Sequence, residues 1–223
     1  MRKHIKQYHN PHFADTQITI PFRGLIISSS GGGKTQMLLN FISKTNDTWG
    51  EIIVLYRATE PLYSFLDDKL KGKNITFYTK LSDLPTPNQL DKKYKDKQVL
   101  LVIDDFVNEA DQSVIQEYAI RGRKCCAGVS MMYLTQSFFK VPKLIRIQMN
   151  YLIILKLSSN RDLNLIMSEF SLGLDKNELL DIYKDATKQK FNFLKIDLDQ
   201  SDDGKKFSKN FTQFYQLKNE DSD

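Results

Sequence analysis

Cysteine, histidine and tryptophan are scarce in this chain of 223 residues, which holds 2 Cys, 3 His and 1 Trp. The two cysteines, Cys125 and Cys126, are sequence neighbours. Vicinal pairs rarely form a structural disulfide, so a disulfide-stapled secreted scaffold is excluded and a reduced, intracellular setting is expected. His4, His9 and His12 all fall near the start, so the rest of the chain has no imidazole to act as a general base and several hydrolase mechanisms drop out. Their spacing is compatible with a metal site, but without Cys or carboxylate support it reads as a basic tail. Long apolar runs are also missing. The longest are five residues, 151–155 among them, far short of the ~20 residues of a membrane-spanning helix. The opening MRKHIKQYHN is basic but leads into no apolar stretch of the kind a secretory signal requires, so export is not expected. Net charge is +5 with a pI near 9.0, enough to permit binding to a polyanion and too little to mark a dedicated nucleic-acid arm.

What is present is an ordinary globular composition, 41% hydrophobic and 26% charged, in a length that suits one domain. Short runs of Ile, Val, Leu and Tyr alternate with longer amphipathic stretches, the pattern of an α/β fold with a mainly parallel sheet covered by helices on both faces. Strands are predicted at 24–28, 51–56, 75–78, 99–103, 129–134, 151–155 and 193–197, and helices at 34–42, 61–71, 112–121, 161–170 and 176–189. The sequence divides into a basic N-terminal tail (1–16), a core domain (17–200) and a C-terminal extension (201–223), where charge rises and periodicity fades. Phe207, Phe211, Phe214 and Tyr215 give that extension a means of docking on the domain or on a neighbouring subunit.

The segment from Gly24 to Thr35 reads as an apolar strand, a turn of Ser28, Ser29, Ser30, Gly31, Gly32 and Gly33, and then Lys34 and Thr35 opening the helix that continues with Gln36. This is a Walker A loop in the strand–turn–helix setting that its chemistry needs. Consecutive glycines let backbone N–H groups curl around the β-phosphate of ATP, the helix N-terminus adds partial positive charge, Lys34 reaches the β and γ oxygens, and Thr35 offers a hydroxyl to Mg2+. One departure stands out: the first Gly of the GxxxxGKT pattern is Ser28, a residue that can still adopt a strand-exit conformation. The apolar strand 99–103 ends in Asp104 and Asp105. Parallel strands present ligand chemistry at their C-terminal ends, so Asp104 is the expected Walker B ligand, holding Mg2+ mainly through water, and Asp105 faces the γ-phosphate to orient or deprotonate the attacking water. Other strands lie between the two motifs in sequence, so the acidic strand need not be the direct sheet neighbour of the phosphate-loop strand, which favours motor-type ATPases over GTPases.

Downstream, Gly122–Arg123 precedes an apolar strand closed by Thr135–Gln136, and Pro142 and Arg146 precede the run 151–155. This order of motifs resembles the poxvirus-type genome-packaging ATPases of the FtsK-HerA superfamily, found in large DNA viruses, virophages and polinton-like elements. The resemblance runs from about Phe22 to Phe211. It implies a RecA/FtsK-like P-loop NTPase fold, Mg-dependent ATP hydrolysis, and assembly into a homo-oligomeric ring, hexamer or pentamer, that moves double-stranded viral DNA into a preformed capsid. It further implies capsid or portal-vertex proteins as partners, and a location in the host cytoplasm or viral factory with virion association. Gln136 corresponds to the polar sensor of the γ-phosphate. Arg123 matches the family's Gly-Arg segment, with Lys124 where His is usual, and Arg146 matches the Arg after Pro, with Gln148 where Asn is commoner. A ring motor draws a positive group from the adjacent subunit; Arg123, Arg146 and Arg161 are the candidates, in that order.

Two other classes compete. A P-loop nucleotide or nucleoside kinase would use a small acceptor, but the Asp-Asp and Thr-Gln strand ends suit attack by water and the sequence has no Arg-rich lid. A nucleotide-binding assembly module that never turns over would be expected to lose a catalytic acid or the Mg hydroxyl, yet Thr35, Asp104 and Asp105 are present. The clusters Lys69, Lys71, Lys73 and Lys80, and Lys92, Lys93, Lys95 and Lys97, are read as solvated faces balanced by Asp67, Asp68, Asp91 and Asp96.

Overall fold

A computed structural model describes residues 8, 10–45, 47–57, 61–69 and 74–217. The elements run α1 (Phe13–Thr16), β1 (Arg23–Ile27), α2 (Lys34–Lys44), β2 (Glu51–Tyr56), α3 (Pro61–Lys69), β3 (Ile75–Tyr78), α4 (Pro87–Lys93), β4 (Val99–Asp104), α5 (Ser113–Arg121), β5 (Val129–Thr135), α6 (Lys143–Arg146), β6 (Tyr151–Ile154), α7 (Asn160–Glu169), α8 (Lys176–Ala186), β7 (Leu194–Asp197), β8 (Phe207–Lys209) and β9 (Gln213–Phe214). His4, His9, Lys71 and Lys73 lie outside the described residues.

One sheet of nine strands organises the chain, in the order β3-β2-β4-β5-β1-β6-β7-β8-β9. Pairing is parallel from β3 through β6 and antiparallel from β6 to β9. β1, β2, β4, β5 and β6 are buried along almost their whole length, which is why their sequences are continuous apolar runs and not alternating ones. Successive residues still point to opposite faces. Ile26, Val54, Val102 and Leu134 pack on Met37, Leu38 and Phe41 of α2 and Tyr63 and Leu66 of α3. Ile27, Leu55, Ile103 and Tyr133 pack on Ile115 and Tyr118 of α5, Ile166 of α7 and Leu179 and Tyr183 of α8. The result is a three-layer α/β sandwich with two apolar cores.

The β4 strand is separated from β1 by β5, so the expectation that the acidic strand stands off from the phosphate-loop strand holds. The intervening strand comes from later in the chain, however, and not from the segments between the two motifs. The boundary expected at residue 200 has no counterpart in the sheet. β8 pairs with β7, and Phe207 and Phe211 are fully or nearly fully buried, so the extension continues the sheet instead of standing apart. Its strands are too short for a visible period, and two or three apolar side chains are enough to bury them. At the other end, Thr16 is buried and the Tyr8 hydroxyl donates to the Arg123 carbonyl at 3.0 Å, so the described part of the tail lies against the domain. Cys125 and Cys126 are buried thiols.

Candidate functional site

The C-terminal ends of β1, β5 and β4 form one edge, with Ile27 opposite Thr135 and Asp104 opposite Leu134. Adjacent strands lie about 4.8 Å apart. The phosphate loop and the Asp104–Asp105 pair therefore stand two strand spacings from each other, with Gln136 between them at the end of β5.

The loop leaves β1 stitched to both neighbours: Ser28 N–H donates to Thr135 O at 3.2 Å and Ser29 N–H to Lys156 O at 3.3 Å. Ser29 is further held by Ser158, whose N–H donates to Ser29 Oγ at 2.7 Å. Gly31 and Gly33 take left-handed backbone, φ 67° and 100°, which side chains of L residues rarely adopt. Gly32 is required for a different reason, since a Cβ there would stand 2.1 Å from Ser28 Oγ and 2.9 Å from Ser29 O. Ser28, in place of the usual glycine, is buried; its hydroxyl donates to Ser29 O at 3.0 Å and fills the space under Gly32. Lys34 and Thr35 then begin α2, capped by Gly33 with no side-chain acceptor, so the helix's first N–H groups point to the loop mouth. Backbone curl, a Lys ammonium, a hydroxyl and a nearby carboxylate are a hard, oxygen-directed set that fits a Mg-bound nucleoside triphosphate. Ser30, Gly31 and Gln36 are exposed at this mouth, and Thr35 is buried beneath it.

Asp104 is buried, and its Oδ2 accepts a 2.6 Å hydrogen bond from the Tyr63 hydroxyl. Tyr63 is itself stacked on Tyr56 at 5.0 Å. Asp105 sits in left-handed backbone, φ 63°, its N–H donating to Leu134 O at 3.1 Å. Non-Gly residues in this region cluster at functional positions, with Asp among those that tolerate it best. The loop after Asp105 is braced where Gln112 donates to Val107 O and Glu109 O and accepts from the Tyr133 hydroxyl at 2.9 Å. Burial first, and then the Asp105 charge, push Tyr133 far above its usual value, so its hydroxyl stays a donor.

Gln136 is exposed at the same edge. The turn that follows is tied to α7 through buried Asp162, whose Oδ1 accepts from Ser137 Oγ at 3.4 Å and Phe139 N–H at 3.0 Å. The three arginines separate. Arg123 lies in a single 3-10 turn, Gly122–Lys124, before β5. A seven-residue strand puts it roughly 20 Å from the phosphate loop of its own chain. Its charge is felt instead at buried Arg23, at the start of β1, which is brought down to about 10 by burial first and by Arg123 second. Arg146 is held inside the fold: its Nη2 lies 3.7 Å from Glu169 Oε1, its Nη1 donates to Phe138 O at 3.5 Å, and its guanidinium lies over the Phe138 ring at 4.8 Å. Arg161 is exposed at the nucleotide edge and stacks 3.6 Å over Phe139. Neither Tyr63 nor Asp162 is marked in the sequence as part of the site. A helical tyrosine and a helix-start Asp carry no local signal of what they reach across the sheet.

A six-strand parallel run with a glycine loop after β1 and an acidic pair after a non-adjacent β4 defines a P-loop NTPase fold. The chain belongs to the Poxvirus A32 protein family, whose model matches residues 11–201. Among solved structures it is similar to the genome packaging NTPase B204 from Sulfolobus turreted icosahedral virus 2 in complex with AMPPCP, at 15% identity and a TM-score of 0.60, with 86% of this chain and 98% of that one covered. The DNA-packaging ATPase B204 from Sulfolobus turreted icosahedral virus is alike at 16% identity, a TM-score of 0.60 and the same coverage. The cytoplasmic domain of the Thermomonospora curvata Type VII secretion ATPase EccC matches at 12% identity and a TM-score of 0.55 over 89% of this chain and 26% of that one. No curated protein sequence matches. Among the described residues, no helix is long and apolar enough to cross a membrane.

Proposed function

We propose that this chain is a Mg-dependent ATPase that translocates double-stranded DNA into a preformed capsid, working as a homo-oligomeric ring, hexamer or pentamer. The observation that carries the reading is the strand order, with β5, which Gln136 follows, between the strands that end in the glycine loop and in the Asp104–Asp105 pair. A group at the end of that strand can sense the γ-phosphate and pass its state to the turn anchored on Asp162. Family membership supports the packaging role, as does the likeness to B204, which is described as a packaging NTPase.

In this reading the backbone of residues 28–33 cradles the phosphates, Gln36 borders the α-phosphate side, and Lys34 holds the β and γ oxygens. Mg2+, held by Thr35 and through water by Asp104, would neutralise charge on those oxygens. Tyr63 fixes the Asp104 carboxylate. Asp105 holds the attacking water and takes its proton as the bond to the γ-phosphorus forms and the bond from that phosphorus to the β–γ bridging oxygen breaks, releasing ADP and phosphate. Gln136 orients the same water or the phosphate it attacks. Arg123, out of reach of its own loop, is the arginine best suited to act on the site of the next subunit, with Arg161 second. The internal partners of Arg146 suit a role in holding the sensor turn. Capsid or portal-vertex proteins are the expected docking partners, in the host cytoplasm or viral factory. The test is the ATPase rate of the full chain with and without linear duplex DNA, with Lys34→Ala as the blank. DNA stimulation that vanishes in the blank supports the motor. Hydrolysis indifferent to DNA, or phosphoryl transfer to an added nucleoside, overturns it in favour of a kinase.

A further inference from the structure

The groups that would face the γ-phosphate all lie on one side of β1: Gln136 follows β5, and Asp104 and Asp105 close β4. A triphosphate in the glycine loop with its γ end toward them must send its nucleoside the other way, across β6 toward β7. The turn that enters β7 rises at that place. Phe191 in this turn presses on the loop itself, since a Cβ built on Gly33 would stand 2.5 Å from Phe191 Cδ1. The ring is 47% exposed, and its backbone is left-handed, φ 70°, a costly conformation for a bulky residue. Core packing gives no reason to hold a half-exposed phenyl ring in that conformation.

The turn is held rigid. Asn192 N–H donates to Gln189 O at 3.2 Å, and Asn210 Nδ2 donates to Asn192 Oδ1 at 3.2 Å. Asn210 Oδ1 accepts from Phe193 N–H at 3.3 Å. Between this turn and α2 opens a cleft of about 1310 Å3, lined by Gln36 and Asn40 on one wall and Phe191, Asn192 and Asn210 on the other. Gln36 directly follows Thr35, so the cleft begins where the α-phosphate would leave the loop. Lys190, exposed, places its ammonium 4.9 Å from the Phe191 centroid and brings positive charge to the same rim.

We infer that Phe191 is the stacking wall of a nucleoside subsite, and that the cleft beside it takes the base and sugar of the nucleotide. The inference rests on the nucleotide-motor reading and adds where the base lies. Stacking on a rigid aromatic face tolerates every base, so the subsite grips purine nucleotides without strong choice among them. Ile120, 48% exposed on α5, is the comparison residue, because α5 packs on the sheet face opposite α2 and away from the cleft.

The experiment measures equilibrium binding of Mg-ADP and of base-free Mg-tripolyphosphate to the full chain, to Phe191→Ala, Phe191→Trp and Ile120→Ala, together with KM and kcat for ATP. Loss of one stacking ring is expected to weaken ADP binding and raise KM about 10-fold in Phe191→Ala. Tripolyphosphate affinity and kcat should hold, Phe191→Trp should bind ADP as the parent does, and Ile120→Ala should be unchanged. Unaltered ADP affinity in Phe191→Ala overturns the subsite. So does equal weakening of ADP and tripolyphosphate, which would make the ring a mere support for the loop. If the parent chain binds no Mg-ADP, the nucleotide reading itself falls and takes the subsite with it.

Discussion

Asp105 joins two demands at one residue, and substitutions can pull them apart. Its left-handed backbone, φ 63°, costs an ordinary L residue about 1–2 kcal/mol. Glycine is free of that cost but gives back about 0.5–1 kcal/mol through the greater entropy of its unfolded chain. Asp105→Gly is therefore expected to be more stable than Asp105→Ala by about 1 kcal/mol, with the parent between them, because Asp tolerates this region better than Ala. For a domain of this size the gap corresponds to roughly 2–4 °C in Tm. Both variants lose the carboxylate proposed to hold the attacking water, so kcat for ATP should fall by about 10²–10⁴ in each. ADP affinity should change little, since the diphosphate is gripped by the loop and Lys34. Thermal unfolding beside steady-state hydrolysis checks both halves. Equal stability of the Gly and Ala variants would refute the backbone argument, and near-parental turnover in either would refute the assignment of Asp105 to the attacking water.

Two further outcomes are expected. Tyr63→Phe removes the 2.6 Å hydrogen bond to Asp104, so the Mg2+ concentration for half-maximal hydrolysis should rise several-fold while kcat at saturating Mg2+ stays close to the parent; an unchanged Mg2+ titration would sink the positioning role. Lys195, 1% exposed with its ammonium donating to Gln17 O at 3.2 Å, is brought from the usual 10.5 down to about 8 by burial, with Asp197 opposing. Between about pH 8 and 10.5 the unfolded chain holds a proton that the folded chain has released, so stability contributed at this site rises with pH through that window. Below it the buried charge imposes its full cost, up to about 3 kcal/mol at 1.36 kcal/mol per pKa unit. Lys195→Met should therefore exceed the parent in Tm at neutral pH, and the difference should close by about pH 10.5; a difference that does not vary with pH contradicts the reasoning.

The elements were legible because their signals are local. β2 and β3 fall on the residues that periodicity assigned them, β4, β5, β6 and β7 differ by one residue at an end, and β1 is shifted by one residue. Helices α2, α3, α5, α7 and α8 begin within one residue of their expected starts. The short helices α1, α4 and α6 span too few residues to declare a period, although α4 carries a capping box from Thr86 and Gln89 that a search for start signals alone could have found. The strand–turn–helix setting of the glycine loop was readable, because it is written in consecutive residues. The acidic pair was readable because it closes an apolar run.

What the sequence determined by itself was thus the set of strands, the glycine loop, the two carboxylates and the class of nucleotide chemistry they allow, each written in neighbouring residues. Only the tertiary structure decided that β5 slots between β1 and β4, that residues 207–214 complete the sheet, that Tyr63 reaches Asp104, that Arg146 turns inward to Glu169, and that Phe191 leans on Gly33. Each of those joins residues far apart along the chain. They are selected by packing against a shared sheet, which leaves no pattern in any one stretch of sequence.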